Sequence, residues 1–399
     1  MFTLLLILIF AAFISLGLPD SLFGAAWPSI SAASESSNTL AGIYSFIASS
    51  ATIVSSVFAG RLINKLGTGK VVIVSILITA AALIAMPLAV DMPMPFPFIC
   101  GVGFFLGLGG GAADAALNSY VSTHYSARVM TLLYCFWGLG TAASPLIYAY
   151  ILNFNGNWEE GYLAIAAIQI IIATALIFAF PMWDKLPLTA DSAALDELRE
   201  EQGETSRYRD IIKMRGMKSV GFALMFYCGY EAVVGLWAAT YIYKIRGTGL
   251  EAAAQFASLY YFGSAAGRIV SGFLVKRIPP RLLGAAGSVV SVIGVVLLLL
   301  PLADIWAACA LFLIGFGSGP FYPGVMFRIP RLSGAKNAAA ATGLALVFAY
   351  TGFTVFPAAA GLFPIELFPG TVLTLIIAAA VFHKLAFSVK VSYNENEPI

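Results

Sequence analysis

Long apolar stretches follow one another from end to end of this chain, and that succession limits what it can fold into more than any other feature. Twelve are apparent, at residues 3–30, 39–63, 70–90, 95–121, 128–152, 161–182, 219–243, 252–275, 282–301, 304–327, 338–362 and 368–389. Crossing roughly 30 Å of hydrocarbon takes about 20 residues of α-helix, so each stretch is long enough to span a bilayer. A membrane β-barrel would instead show alternating segments of about ten residues, whereas these are continuous and rich in Leu, Ile, Ala and Phe. With 60% hydrophobic and 11% charged residues and a mean hydropathy of +0.90, the chain has too little polar material to cover a soluble globule of 399 residues. The expected fold class is all-α integral membrane, with twelve transmembrane helices in two pseudo-symmetric six-helix bundles. The first stretch lacks a basic leader, is long for a signal sequence and contains Asp20, so it reads as a retained helix.

Charge sets the expected orientation. With the spans drawn, one side holds 19 of the 22 Lys and Arg residues; Lys244 and Arg246 lie on the other side, and Arg268 lies within a span. Basic residues concentrate on the cytoplasmic side, so both termini are expected in the cytoplasm and the protein in the inner (plasma) membrane. Cys100, Cys135, Cys228 and Cys309 all fall within spans, where a thiol packs as a small apolar group. The chain shows no metal-ligand or redox pattern, and no cofactor, metal or nucleic-acid partner is expected.

Residues 183–218 form the one long polar stretch. From Trp183 to Ser219 it carries 15 of the 42 charges and divides an N-terminal bundle (1–182) from a C-terminal bundle (219–399). It reads as a solvated cytoplasmic linker, with a surface amphipathic helix over 192–204 as the alternative. The two halves repeat each other. GRLINKLG at Gly60 and GFLVKRI at Gly272 are 212 residues apart, as are Gly140/Pro145 and Gly352/Pro357. Gly107 and Gly111 match Gly315 and Gly319 at 208, and Asp20/Gly24 match Glu231/Gly235 at 211. Offsets this constant imply duplication. A duplicated pair of bundles is an architecture that transports by rocking, with the substrate held near the midplane where the repeats meet.

These motifs resemble the major facilitator superfamily. GRLINKLGTGK (residues 60–70) resembles that superfamily's signature between the second and third helices, where glycine permits close helix contact and charged groups lock one gate. Gly60, Arg61, Asn64 and Lys65 are then gating residues, with Arg268 a further candidate; Asn64 stands where the signature has Asp. A closer resemblance, to the fucose:proton symporter and glucose-transporter-like branch, is carried by GLPDSLFGAAWP (17–28), AADAALNSY (112–120), SARVMTLLYCFWGLG (126–140) and YCGYEAVVGLW (227–237). It implies that an acid on the first helix and an acid on the fourth serve proton coupling and sugar recognition, at Asp20 and Asp114. GLGTAASPLIY (138–148) differs from the drug:proton antiporter pattern, since Ser144 precedes Pro145 where that pattern has glycine.

Deep charges are the natural candidates for function, because a charge at the centre of a span costs about 2.5–3.5 kcal/mol on insertion scales. Asp20, Asp114, Glu231 and Arg268 are the four. Gly17, Asp20, Gly24 and Trp27 share one stripe of the first helix, and Gly107, Gly111, Asp114 and Asn118 one face of the fourth. Burial disfavours the charged form of a carboxyl group, which suits such an acid to gaining a proton on one side and losing it on the other. Asp20 has a structural alternative, bonding backbone opened by Pro19. Arg268 either snorkels to the cytoplasmic end or pairs with a buried acid, and Glu231 is open between substrate contact and a gating or structural role. Sugar C–H faces pack on rings, so Trp27, Trp137, Trp237 and Tyr322 join Asp20, Asp114, Asn118 and Glu231 as substrate-binding candidates. His124 and His383 lie near cytoplasmic ends as candidate relays.

The expected function is secondary active transport, proton-coupled symport of a monosaccharide or related small polar solute by alternating access. Its partners are a sugar, a proton and the lipid bilayer. The alternatives are efflux of an amphipathic drug or lipid, and a transport-inactive membrane sensor. Enzyme activity is not expected, since no nucleophile-elbow, zinc-protease or phosphate-loop pattern occurs.

Overall fold

The computed structural model describes residues 2–125, 127–185, 208–334 and 337–389. The fold is all-helical, twelve transmembrane helices in two bundles. In lipid a helix satisfies its own backbone hydrogen bonds, and among the described residues eleven helical segments are long and apolar enough to cross a membrane. The twelfth crossing is Leu250–Leu274, 25 residues long and interrupted in its apolar character by Ser, Gly and Arg268.

The first bundle runs α1 (Phe2–Ala33), α2 (Asn38–Leu66), α3 (Thr68–Val90), α4 (Pro95–His124), α5 (Ala127–Asn155) and α6 (Trp158–Phe178), followed by a 3₁₀ turn, Phe180–Lys185. A short helix α7 (Tyr208–Ile211) precedes the second bundle. That bundle comprises α8 (Met217–Arg246), α9 (Leu250–Leu274), α10 (Pro280–Leu299), α11 (Asp304–Ser318), α12 (Phe321–Met326), α13 (Arg328–Ser333), α14 (Ala338–Ala360) and α15 (Phe368–Ser388). The chain divides into two compact units, Met1–Glu200 with Gly249–Ser258, and Glu201–Thr248 with Leu259–Ile399. The tenth apolar stretch, expected as one helix over 304–327, is instead α11 and α12, with α13 following it. Pro320, Pro323 and Pro330 lack the N–H that a continuous helix needs, and helix in short pieces runs on to Ser333. The alternative of a surface helix over 192–204 lies outside the described residues.

Matching glycines carry the duplication into three dimensions. A Cβ on Gly140 would strike the carbonyl oxygen of Ile14, and one on Gly352 that of Met225. Both pairs join the first and fifth crossings of their own bundle, and the partners, Ile14 and Met225, are 211 residues apart. Likewise Gly107 lies on the carbonyl of Ala48 and Gly315 on that of Tyr260, while Gly109 meets Ser75 and Gly317 meets Gly287. Each of these contacts needs a residue without Cβ, because main chain cannot swing aside.

Polar side chains complete the backbone where proline interrupts it. Pro19 leaves the carbonyl of Ser15 without its helical partner, and Gln169 Nε2 of α6 donates to that oxygen at 3.0 Å. Pro145 does the same to Thr141, whose carbonyl accepts from Ser21 Oγ of α1 at 2.7 Å. Both repairs tie α1 to its neighbours, and a polar group left unpaired in hydrocarbon would cost on the order of 2–7 kcal/mol.

Candidate functional site

Asp20 sits in the middle of α1, and its side chain is exposed. Because Gln169 serves the carbonyl opened by Pro19, the carboxylate is released from the structural duty that the sequence left open. Its partner is instead Trp137 of α5, whose indole Nε1 donates to Asp20 Oδ2 at 2.9 Å. Glycines make that bond possible. Gly17 lies against the Trp137 carbonyl and Gly140 against that of Ile14, so α1 and α5 approach closely enough for the ring to reach one turn along.

Asp114 and Asn118, one turn apart on α4, are bonded to each other. Asn118 Nδ2 donates to Asp114 Oδ1 at 2.9 Å and to the Asp114 carbonyl at 3.0 Å. Asn118 Oδ1 accepts from Tyr134 of α5 at 3.0 Å. Tyr134 and Trp137 are three residues apart and share a helix face, so α5 supplies one donor to Asn118 on α4 and another to Asp20 on α1. Asp114 and Asn118 are both half-buried. The first bundle thus brings together Asp20, Asp114, Asn118 and Trp137, with Tyr134 joining them. Tyr134 carried no signal of its own in the sequence, being one of 17 tyrosines; the only cue was its three-residue spacing from Trp137.

The second bundle has its own cluster. Tyr227 Oη donates to Glu231 Oε1 at 2.7 Å, and Arg268 Nη2 of α9 lies 3.3 Å from the same oxygen. The side chains of Arg268 and Glu231 are 32% and 22% exposed, which is intermediate between a solvated pair and a buried one. Of the two placements open to Arg268, snorkelling to the helix end or pairing with an acid, the structure shows the pairing, with Glu231. Tyr227 stacks on Phe321 with ring centres 5.0 Å apart and planes at 4°, and Tyr322 tilts against it at 6.1 Å. Tyr322 is half-buried.

Trp27 and Trp237 lie away from any accessible face. Both are fully buried. Trp27 donates to Asn38 at the start of α2 at 3.3 Å, and Trp237 to the Pro357 carbonyl of α14 at 3.0 Å. Their rings and N–H groups serve to join helices. His383 is buried against Phe321, Phe387 and Gly284. His124 stacks on Tyr120 and bonds its carbonyl at 2.9 Å.

The family profile of the Major Facilitator Superfamily matches residues 5–357. This chain belongs to the major facilitator superfamily. The chain is accordingly a multi-pass membrane protein of a superfamily of transporters. Among curated proteins, the niacin transporter NiaP of Acinetobacter baylyi (strain ATCC 33305 / BD413 / ADP1) is 27% identical over 158 residues, 39% of this chain and 35% of that protein. The matched stretch therefore spans about a third of that relative. Among solved structures, a D-xylose-proton symporter superposes with a TM-score of 0.69 at 13% identity, over 96% of this chain and 98% of its own. A point mutant of the nucleoside transporter NupG superposes with a TM-score of 0.72 at 12% identity, with coverages of 96% and 98%. At such identities these structures are like this chain in fold.

The GRLINKLGTGK motif occupies the end of α2 and the turn to α3. Arg61, Asn64 and Lys65 are exposed there, with Arg61 over the Phe58 ring at 5.5 Å. Gly60, expected to permit close helix contact, does not do so within its bundle, since a Cβ there meets nothing within 4 Å, and the same holds for Gly272. Gly67 is the glycine the motif uses, with φ at +84° where α2 gives way to α3. Next to it Gly69 lies under the ring of Trp183, 2.9 Å from a built Cβ, and Tyr120 Oη donates to the Trp183 carbonyl at 2.8 Å. Arg328 escaped the sequence reading because it falls one residue past the apolar stretch ending at 327. It is 1% exposed, lies 5.3 Å over the Phe387 ring and donates to the carbonyls of Ala386 and Val389 at the end of α15.

Proposed function

We propose that this transporter is a proton-coupled symporter of a monosaccharide or related small polar solute, working by alternating access, with both termini on the cytoplasmic side of the inner (plasma) membrane. In this reading it belongs to the fucose:proton symporter and glucose-transporter-like branch. The observation that carries the reading is Asp20: a mid-helix carboxylate, exposed, bound by one neutral indole donor at 2.9 Å and relieved of backbone repair by Gln169. A carboxylate retained at such a cost is available for a proton. Asp114 and Asn118 supply the short polar partners that hydroxyl-rich cargo requires, and Trp137, half-buried beside them, supplies a ring edge. The second bundle has its own polar and aromatic candidates in Glu231, Tyr322 and Arg268.

Purified protein in liposomes loaded with a pH-sensitive dye tests this directly. Adding monosaccharides one at a time (glucose, fucose, xylose, galactose) should make the lumen acidify with at least one of them, without an imposed voltage. Alkalinisation on adding amphipathic compounds, the sign of solute–proton exchange, would favour the efflux alternative, and no flux with either class would contradict proton symport.

A further inference from the structure

Tyr134 stands outside the acids assigned to coupling, yet it is bonded to one of them through a single side chain. Its ring is exposed on α5, and Phe13 of α1 packs edge-on to it, 6.1 Å between centres and 81° between planes. Carboxylate, amide and phenol form a row from Asp114 through Asn118 to Tyr134, crossing from α4 to α5. The direction of each bond in that row is dictated by charge. An ionised carboxylate can only accept, so it takes the NH₂ face of the Asn118 amide. The amide then offers its oxygen to Tyr134, whose hydroxyl must donate.

We propose that Tyr134 converts the protonation state of Asp114 into the hydrogen-bond polarity presented to cargo. The proposal deepens the proposed function and rests on Asp114 acting as a working acid. When Asp114 takes up a proton from water, its new O–H becomes a donor. The Asn118 amide turns by half a revolution about its last torsion, its oxygen accepting from Asp114 and its NH₂ group facing Tyr134. Tyr134 oxygen then accepts from that NH₂ group, and its own proton is freed for an oxygen of a cargo hydroxyl. Return of the Asp114 proton to water reverses each step, and no bond but that one O–H is made or broken. The Asp114 carbonyl loses the amide contact at 3.0 Å but keeps its helical partner, the Asn118 N–H.

Other ionisable groups of the first bundle are placed as follows, with the Tyr125 hydroxyl at the end of α4 buried. On α1, Asp20 is bonded to Trp137, one turn along α5 from Tyr134. On α2 and α3, Tyr44 stacks on Phe23, Arg61 lies over Phe58, Lys70 over Phe180, and Lys65 is exposed at the helix end. On α4, His124 bonds the Tyr120 carbonyl and Tyr120 bonds that of Trp183. On α5, Cys135 beside Tyr134 is exposed.

The test uses full-length protein in liposomes, with Tyr134→Phe as the variant and two readouts. The first needs no cargo: the infrared carbonyl stretch of protonated Asp114, recognised as the band lost in Asp114→Asn, followed through a pH titration. Tyr134→Phe should change its frequency and its midpoint, whereas Tyr150→Phe on the same helix should change neither. An Asp114 band unaltered by Tyr134→Phe would overturn the proposal. The second is sugar-driven proton flux, where Tyr134→Phe should raise KM about fivefold to tenfold and flatten its dependence on pH. A KM that stays equally pH-dependent also overturns the proposal. If none of the sugars moves protons in the wild-type protein, the proposed function falls, and the infrared band still decides the row. Should Tyr134→Phe not fold, Asn118→Leu breaks the row at its centre and must displace the same band; an undisplaced band is again a refutation.

Discussion

Asp20 and Glu231 are 211 residues apart and occupy matching places on the first helix of each half, but their partners differ in kind. Asp20 has a neutral indole, whereas Glu231 has a tyrosine hydroxyl and the Arg268 guanidinium on one oxygen. The charge of Glu231 is therefore offset within its own bundle, and removing Arg268 alone should leave a half-buried carboxylate without its counter-ion. Arg268→Gln is expected to destabilise the protein by about 1–3 kcal/mol, and the double variant Glu231→Gln/Arg268→Gln should recover most of that loss. Thermal unfolding in detergent reads both; equal losses in the single and double variants would show that the pair contributes little. At this scale the sequence revealed the charges and concealed their partners. A carboxylate in an apolar run stands out by hydropathy alone. Gln169 and Tyr134 do not, because a neutral polar residue among apolar ones is ordinary, and its importance comes from a carbonyl or amide brought to it by another helix.

The helices are held together by main chain meeting main chain at glycine. Gly140 on Ile14 and Gly352 on Met225 leave no room for a side chain, whereas Gly60 and Gly272 face open space. Gly352→Leu should abolish folded protein in size-exclusion profiles. Gly60→Ala, in the interior of α2, should be neutral or stabilise by up to about 1 kcal/mol, the difference in helix propensity. Full tolerance of Gly352→Leu, or strong loss from Gly60→Ala, would contradict this division. The repeat was readable from spacing because close backbone approach accepts only glycine and so preserves it at a fixed offset. Which glycines make the approach within a bundle was not readable: Gly60 of the signature meets nothing within 4 Å, whereas Gly67 turns the chain with φ at +84°. The stretch 304–327 read as one helix through Pro320 and Pro323; the chain in fact breaks after Ser318 and resumes helix twice, since each proline removes one N–H without preventing a new start.

For the molecule as a whole, length and apolar character pointed to the number of crossings, and the skewed placement of basic residues predicts an orientation. Arg246, a basic residue on the sparse side, illustrates how an exception is accommodated, since it donates to the carbonyls of Leu300 at 2.8 Å and Leu302 at 2.6 Å within its own unit. Family membership follows from the match over residues 5–357, and proton coupling stands or falls with Asp20. In an Asp20→Asn protein reconstituted into liposomes, exchange of labelled for unlabelled sugar at equal pH on both sides should survive, because binding and reorientation remain. Accumulation driven by an imposed pH gradient should fail, because the protonation that ties the gradient to cargo movement is the one at Asp20. Accumulation equal to that of the wild-type protein would contradict the assignment of Asp20 as the coupling acid.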